Sequence, residues 1–288
     1  MCDHDDFDNM QKQQELSRRQ FGAMGFGAGV MALLPAVANA AEVKESEVSI
    51  KTPDGTCDAH FVHPVSGATA AVLVWPDIFG LRDPFRQMGK RLAESGYAVL
   101  TVNPFYRLQK APTSVKGASF QDPATREALM KQAGSLNATT NVTDAKAFVA
   151  WLDSQKAVDR KRKIGTTGYC MGGPLVMRTA AALPDRIGAA ATFHGGGLNT
   201  TDANSPHLLI PQMKAQFLIA IAANDDASNP ESKNVLRKAF DDAKVKADIA
   251  VYPGAQHGWC AIDSQVYNHE QAEIAWARLL ELFKTALA

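Results

Sequence analysis

The chain has 288 residues, of which 46% are hydrophobic and 21% are charged, and its formal net charge at pH 7 is +0. A near-neutral balance with one short basic run, Lys161-Arg162-Lys163, argues against a nucleic-acid partner, because such proteins usually carry a basic excess. The four cysteines show no Cys-x-x-Cys spacing and no His/Cys cluster, so neither a zinc site nor a disulfide scaffold is predicted. The composition therefore indicates an ordinary globular protein without a required metal or other cofactor.

Residues 1–40 have the pattern of an export signal. Ser17-Arg18-Arg19-Gln20-Phe21 precedes a weakly apolar run from Gly22 to Val37, and Ala38-Asn39-Ala40 places small residues before Ala41. The segment resembles a twin-arginine signal peptide with its cleavage site. A membrane anchor is the alternative, but a run of 16 residues (37 − 22 + 1) with four glycines is shorter than the roughly 20 apolar residues that a span requires.

From this signal we expect a periplasmic protein that engages the twin-arginine export machinery and keeps no stable membrane span after cleavage. Residues 41–288 are then predicted to form one domain, since no linker or repeat divides them. Twin-arginine substrates fold before export, which would let a functional free thiol reach an oxidising compartment.

From Glu47 onward, the apolar residues predict strands that alternate with helices. Val48–Ile50 and Cys57–Val62 alternate around a Pro-Asp-Gly turn, which predicts an antiparallel hairpin. The continuous apolar run Ala70–Trp75 predicts a strand that is buried on both faces. The later elements are predicted as helix 86–95, strand 97–102, helix 137–152, strand 163–167, helix 174–183, strand 187–193, strand 217–222, helix 230–243, strand 247–252 and helix 266–287.

This alternation predicts an α/β fold with a mostly parallel sheet and helices on both faces. Helices 137–152 and 266–287 each carry apolar residues at spacings of three and four, so each is predicted to present one stripe to the sheet. Two long connections, Asn103–Gln121 and Gly195–Gln212, follow predicted strands. Ligands bind at the carboxyl ends of the strands in such sheets, so these connections are candidate parts of a site.

The stretch Gly168-Tyr169-Cys170-Met171-Gly172-Gly173 lies between a predicted strand and a predicted helix. Glycines two residues before and two after Cys170 suit a sharp turn that holds the central residue at a strained backbone angle. The pattern is Gly-x-Ser-x-Gly with sulfur in place of oxygen, so Cys170 is the candidate nucleophile. The amide of Met171, at a helix start, is a candidate oxyanion donor. The alternative is a buried free cysteine in a glycine-rich turn.

A cysteine nucleophile requires a base, because an ordinary thiol is only about 3% thiolate at pH 7. Of the seven histidines, His257 lies in a glycine-bearing loop directly after the last predicted strand. The chain order nucleophile, acid, histidine is that of the α/β-hydrolases. His194, which precedes three glycines, is its competitor, and we assign it a substrate-binding role in the wall of the pocket. His60 and His63 lie on or beside the hairpin, where exposed edge positions are expected.

The remaining parts of the site are sought after two other strands. The loop 223–230 contains Asp225 and Asp226, and one of these aspartates is expected to orient His257. The segment after the predicted strand Ala70–Trp75 contains Ile78, whose amide is the second candidate oxyanion donor.

With these residues in place, the mature chain resembles the dienelactone hydrolase family of α/β-hydrolases. Its Gly-Tyr-Cys-Met-Gly-Gly stretch matches the family's G-Y-C-x-G-G, and 76–80 corresponds to the family's E-I-F-G segment. The family's D-x-x-x-P pattern selects Asp226, four residues before Pro230, over Asp225. The resemblance thus implies the α/β-hydrolase fold, a catalytic triad of Cys170, Asp226 and His257, and an oxyanion hole formed by Ile78 and Met171.

Three further positions are compared with the family residue by residue. Relatives usually have, at the position of Asp77, a glutamate that hydrogen-bonds the resting thiol and later takes its proton, so Asp77 is a candidate thiol activator. Arg126 lies in a stretch that resembles the one carrying a carboxylate-binding arginine, and it is a candidate substrate-binding residue or else an exposed helix residue. A second such arginine would lie four residues after the histidine, where this chain has Ala261. The resemblance therefore implies the fold and triad more strongly than the dienelactone substrate.

The predicted function is hydrolysis of a small-molecule carboxylic ester or lactone through a thioester acyl-enzyme. A non-catalytic relative that binds a small ligand is the alternative, although the intact spacing of the triad counts against it. A peptidase-like or thiol-redox function is a third hypothesis. Redox chemistry favours a resolving cysteine, for which Cys260, three residues after His257, is the only near candidate.

Overall fold

Eight strands form one sheet at the centre of the computed structural model, which describes residues 34–288. Arg18, Arg19 and most of the predicted signal peptide lie outside the described residues. The strands are β1 (Val43–Thr52), β2 (Gly55–Pro64), β3 (Ala71–Trp75), β4 (Ala98–Val102), β5 (Ile164–Tyr169), β6 (Ile187–Phe193), β7 (Gln216–Ala222) and β8 (Ala247–Tyr252).

The spatial order of the strands is β1-β2-β4-β3-β5-β6-β7-β8. The β1–β2 and β2–β4 pairs are antiparallel, and every later neighbour, from β4–β3 to β7–β8, is parallel. The predicted hairpin and the mostly parallel sheet are therefore confirmed. β3, β4 and β5 are buried along their whole length, as continuous apolar or small-residue strands between two helical layers should be.

Seven α-helices lie within residues 34–288, and one 3₁₀ segment, Pro206–Gln212, lies between β6 and β7. None of these helices is both long and apolar enough to cross a membrane. The helices are α1 (Asp83–Glu94), α2 (Pro123–Ala133), α3 (Ala138–Asp153), α4 (Gly172–Ala182), α5 (Ala223–Ser228), α6 (Ser232–Asp242) and α7 (His269–Ala286).

Two differences from the sequence-based expectations concern local environment. The 223–230 segment, predicted as a loop, begins with the short helix α5. His60, expected at an exposed edge, is only 3% exposed, and its Nε2 lies 3.3 Å from Oε2 of Glu45. The edge strands are not bare on that side, because α1 packs against β2 and its Lys90 also binds Glu45.

The register of the sheet brings the candidate site residues to one edge. Trp75 pairs with Gly168, and Tyr169 pairs with Phe193. Ala222 at the end of β7 pairs with Tyr252 at the end of β8. Because these strands are parallel, the segments that follow β3, β5, β6, β7 and β8 emerge at the same edge.

A buried polar network fixes the connection that leaves β4. Asp144 of α3 is 1% exposed and accepts a hydrogen bond from the Tyr106 hydroxyl at 2.7 Å. Arg107 donates to both oxygens of this carboxylate, at 2.7 and 2.8 Å. Farther along the connection, the hydroxyls of Thr113 and Ser114 donate to the carbonyl of Phe79. The hydroxyls of Thr113 and Ser114 therefore tie the connection after β4 to the segment after β3.

We expect Asp144→Ala to destabilise the fold by about 3–5 kcal/mol, because it leaves the largely buried Arg107 guanidinium without its main partner. Asp242→Ala removes one side of the exposed Lys238–Asp242 pair and should cost about 1 kcal/mol or less. Urea unfolding followed by circular dichroism measures both variants. Equal midpoints for the two variants would contradict a stabilising role for the buried network.

Candidate active site

Cys170 lies in a sharp turn between β5 and α4. Its φ angle is +51°, in the left-handed region that non-glycine residues seldom adopt. The amide of Cys170 donates to the carbonyl of Phe193, and its carbonyl accepts from the amide of Gly173, both at 3.0 Å. These bonds hold the strained turn, and the Cys170 side chain remains partly exposed.

The glycines of this turn are required by close approaches of the backbone. A Cβ atom on Gly168 would come within 3.0 Å of the carbonyl oxygen of Gly172, and one on Gly172 would come within 3.0 Å of that of Trp75. Real Cβ atoms essentially never make such contacts. The start of α4 therefore rests directly on the backbone at the end of β3.

His257 lies in the loop after β8, where two residues of α5 hold it. Its amide donates to the side-chain oxygen of Asn224 at 2.8 Å, and its Nδ1 lies 2.8 Å from Oδ2 of Asp225. Cys170 is the other partner of this ring, and its interaction with the imidazole acts to raise the pKa of His257. Since Nδ1 is taken by Asp225, Nε2 is the nitrogen left for the thiol.

The structure corrects the assignment of the acid. Asp226, selected by the family's spacing, binds Lys233, with both carboxylate oxygens 2.6–2.7 Å from Nζ. Asp225 is the aspartate that contacts His257. Consecutive residues of a helix differ by about 100° in direction, so only one of the two carboxylates in α5 can face the histidine. The spacing rule was wrong here by one residue.

The surroundings of His257 raise its pKa to about 10. Burial acts to lower this pKa, but the hydrogen bonds and the charges of Asp225 and Cys170 outweigh burial and raise it. Both partners favour the protonated ring. The ring of His257 is therefore mainly protonated near neutral pH.

Two backbone amides at the turn have no internal acceptor. In the segment after β3, the amides of Phe79 and Gly80 bind back to Asp77. The amides of Ile78 and Met171, by contrast, make no hydrogen bond within residues 34–288. The contact of Gly172 with the end of β3 places the loops that carry these two amides side by side.

Asp77 does not contact the thiol in the described part of the chain. Its two carboxylate oxygens lie 2.6 and 2.9 Å from the Nη1 and Nη2 atoms of Arg82, and Oδ1 also accepts the amide of Phe79 at 2.9 Å. The predicted activation of Cys170 by Asp77 is therefore not seen. The carboxylate instead forms an ion pair with Arg82 that no sequence motif indicates.

His194 lies directly behind His257. It is 1% exposed, has a φ of +42°, and its ring centroid is 5.0 Å from that of His257 and 5.1 Å from that of Trp259. Neither ring nitrogen has a hydrogen-bond partner among the described residues. Burial first, and the charge of His257 second, hold the pKa of His194 well below its usual value, so the ring is neutral beside the site.

Arg126 is exposed on α2, and its contacts are local. Its Nε donates to the carbonyl of Phe120 at 3.0 Å, and its guanidinium lies 5.3 Å from the centroid of the Phe120 ring. The structure therefore does not join Arg126 with Cys170 or His257. Ala261, at the position of the second family arginine, is 2% exposed and provides no charge.

Sequence reasoning missed three residues around this site. Asn224 anchors the backbone of His257, and Arg82 joins Asp77 to Asp263 in the turns that follow the histidine. No motif marks them, because each acts across a gap of 33 or more residues, as with Arg82 and Asp263, which are 181 residues apart.

Residues 34–288 contain no group of three or more His, Cys, Asp or Glu side chains suited to a metal ion.

The strand order, the strained cysteine turn and the histidine after the last strand together define an α/β-hydrolase fold. Solved structures agree. A Klebsiella pneumoniae protein, "Putative Dienelactone Hydrolase", superposes with a TM-score of 0.73 at 24% identity, covering 84% of this chain and 99% of its own.

The model of the dienelactone hydrolase family matches residues 57–287. The chain belongs to the dienelactone hydrolase family and is a hydrolase. A Synechocystis protein named "Putative carboxymethylenebutenolidase" is 27% identical over 85% of this chain and 98% of its own length. The carboxymethylenebutenolidase of Rhodococcus opacus is 26% identical over 82% of this chain and 90% of its own.

We expect Asp225→Asn to lower the pKa of His257 substantially, because the neutral amide removes a hydrogen bond and a charge that both favour the imidazolium. Asp226→Asn is the matched control, and it should leave this pKa nearly unchanged, since that carboxylate faces Lys233. NMR titration of the imidazole Cε1–H signals measures both values. A lower pKa in the Asp226 variant alone would restore the original assignment.

Proposed function

We propose that the protein hydrolyses a carboxylic ester or lactone through a thioester acyl-enzyme on Cys170. The observation that carries this proposal is the hydrogen bond between Asp225 and His257, together with the interaction of Cys170 with the same ring, which raises the pKa of His257. A thiol at the carboxyl edge of the sheet, with a base beside it and an acid behind the base, is the arrangement of nucleophilic catalysis.

In the first half of this reaction, the sulfur of Cys170 attacks the carbonyl carbon of the ester. The carbonyl oxygen gains negative charge, and the free amides of Ile78 and Met171 are suited to bind it as an oxyanion hole. The tetrahedral intermediate then collapses. His257 gives its proton to the departing alkoxide, and the acyl group remains on sulfur as a thioester.

The second half requires His257 to act as a base. Two of the influences that raise its pKa come from Cys170, and both are lost when the sulfur is acylated. The pKa of the ring then falls toward the value set by burial and Asp225, so the neutral ring can take a proton from water. The resulting hydroxide attacks the thioester, releases the carboxylic acid and returns the proton to the Cys170–His257 pair.

Cys170→Ala should abolish hydrolysis while the fold remains, and Cys170→Ser should lose most activity, because a hydroxyl ionises far less readily than a thiol. Turnover of a neutral aryl ester and circular dichroism measure activity and fold. Mass spectrometry of a quenched reaction should find the acyl group on Cys170. Alanine-variant activity close to that of the parent would overturn the acyl-enzyme mechanism and leave a non-catalytic binding function as the rival.

Neutral esters and lactones are the proposed substrate class within this reaction. The guanidinium of Arg82 is fully engaged by Asp77, Asp263 and the carbonyl of Gly80. Ala261 carries no charge, and Arg126 is exposed with local contacts. No arginine among these three positions offers a free, buried pair of donors to a substrate carboxylate.

An aryl ester bearing a free carboxylate should therefore have a kcat/KM no higher than that of its neutral methyl ester, because the pocket lacks the charged hydrogen bond, worth about 1.5–3 kcal/mol or about 10- to 150-fold in rate, that would favour the anion. Both esters are assayed on one preparation at fixed low salt. Arg126→Ala should leave the ratio within about twofold, since its guanidinium lies on the protein surface. A selective loss of the anionic ester in that variant would instead make Arg126 a substrate contact.

Export belongs to the same proposal. The twin arginines Arg18 and Arg19, the short apolar run and the small residues before Ala41 support transport of the folded enzyme by the twin-arginine machinery. The mature enzyme would then work in the periplasm with Cys170 as a free thiol. Cys57 and Cys260 are also free cysteines, and both are buried.

A further inference from the structure

Arg82 lies between two loops that carry different parts of the proposed site. It is the residue before α1, which begins at Asp83. Asp77, its first partner, directly precedes the oxyanion donor Ile78. Asp263, its second partner, follows His257 by six residues.

All five N–H groups of the Arg82 guanidinium are used. Nε and Nη2 donate to the two oxygens of Asp263 at 2.7 and 2.9 Å. Nη1 and Nη2 donate to the two oxygens of Asp77 at 2.6 and 2.9 Å, and Nη1 also donates to the carbonyl of Gly80 at 3.2 Å. A guanidinium has no donor beyond these five, so Arg82 has none to offer a substrate.

Two aromatic rings also pack against the guanidinium. Its central carbon lies 5.3 Å from the centroid of the Phe79 ring and 5.0 Å from that of Phe85. The Arg82 side chain is only 14% exposed. Two bidentate carboxylate pairs around a planar group define distance and angle together, which a lysine ammonium could not do.

The Arg82 contact with Asp263 is also a side-chain hydrogen-bonded link between two loops that have no other such link within residues 34–288. The loop of His257 is anchored on its β7 side by Asn224 and Asp225. On the opposite side, every side-chain hydrogen bond between 76–82 and 253–268 in the described chain comes from Arg82. Without this link, each loop would keep its own anchors but not a fixed distance from the other.

We propose that Arg82 is a positioning residue. Through Asp77 and Asp263, it keeps a fixed distance between the oxyanion loop (76–82) and the histidine loop (253–268). The inference rests on the proposed function, because it assigns reaction steps to Ile78 and His257. Arg82 is expected to affect the rate of the chemical steps rather than the binding of substrate. The attacking sulfur, the proton acceptor and the oxyanion donors must be aligned together, and small misplacements of such groups cost large factors in rate.

Asp263→Asn is the decisive variant. It keeps the size of the side chain and leaves the Arg82–Asp77 pair intact, but it removes the charge and one acceptor of the link between the loops. The Asp263 side chain is 34% exposed, so the variant should fold. We expect kcat for a neutral aryl ester to fall by about tenfold with KM within about twofold, as loss of alignment in the transition state predicts.

Two further variants complete the design. Arg82→Lys cannot form both bidentate pairs, and kcat should fall by about 10- to 100-fold. Adding Asp263→Asn to Arg82→Lys should cost little more, since both changes break one link. Arg86→Gln is the matched control, because Arg86 is an arginine of α1 that pairs with Glu47 on the outer strand β1, and kcat should stay within about twofold.

Hydrogen–deuterium exchange separates this inference from the proposed function. In Asp263→Asn, amides in 76–82 and 256–264 should exchange faster while those of β5 and α4 do not change, whether or not the parent hydrolyses esters. Inactive parent enzyme with this exchange pattern would reject the proposed function but keep the link. Unchanged exchange and unchanged kcat in Asp263→Asn would overturn the link, and a selective rise in KM for an anionic ester would make Arg82 a substrate-binding residue instead.

Discussion

The close approach between the cysteine turn and the end of β3 is the constraint on which the site depends. Gly172 lies so near the carbonyl of Trp75 that no side chain fits between them. This contact sets the start of α4 against the loop that begins at Pro76, so the loops that carry Met171 and Ile78 lie side by side. The strain at Cys170, with its φ of +51°, is held by the buried sheet beneath it.

The electrostatics of the site follow from competition between burial and partners. Burial alone would make His257 neutral, as it does the neighbouring His194. Asp225 and Cys170 reverse that outcome for His257, and the pKa values of the two adjacent imidazoles differ because of the hydrogen bonds and charges around each ring. The proposed catalytic cycle uses this dependence, since acylation of Cys170 removes part of what keeps His257 charged.

Charged residues around the site serve mainly to hold its loops. Arg82 donates hydrogen bonds to Asp77 and Asp263. Asp144 accepts hydrogen bonds from Arg107 and Tyr106, which lie in the connection after β4. Farther along that connection, the hydroxyls of Thr113 and Ser114 donate to the carbonyl of Phe79 in the segment after β3. A site made of backbone amides requires such support, because amides can be aimed only by fixing the chain that carries them. In the proposed enzyme, these charged side chains therefore position the loops of the site rather than bind an anionic substrate.

The sequence by itself determined the order of the strands and of most helices, the sharp turn at Cys170 and the histidine loop, because apolar periodicity and glycine requirements are local properties of the chain. It also narrowed the acid to two neighbours. Only the tertiary structure decided between Asp225 and Asp226, since that choice depends on the rotation of the short helix α5, which a one-residue shift reverses. The tertiary structure likewise pairs Asp77 with Arg82 rather than with the thiol, and it pairs Asp263 with the same arginine. Pairings between residues as far as 181 positions apart leave no local pattern, because they exist only when packing brings separate loops together.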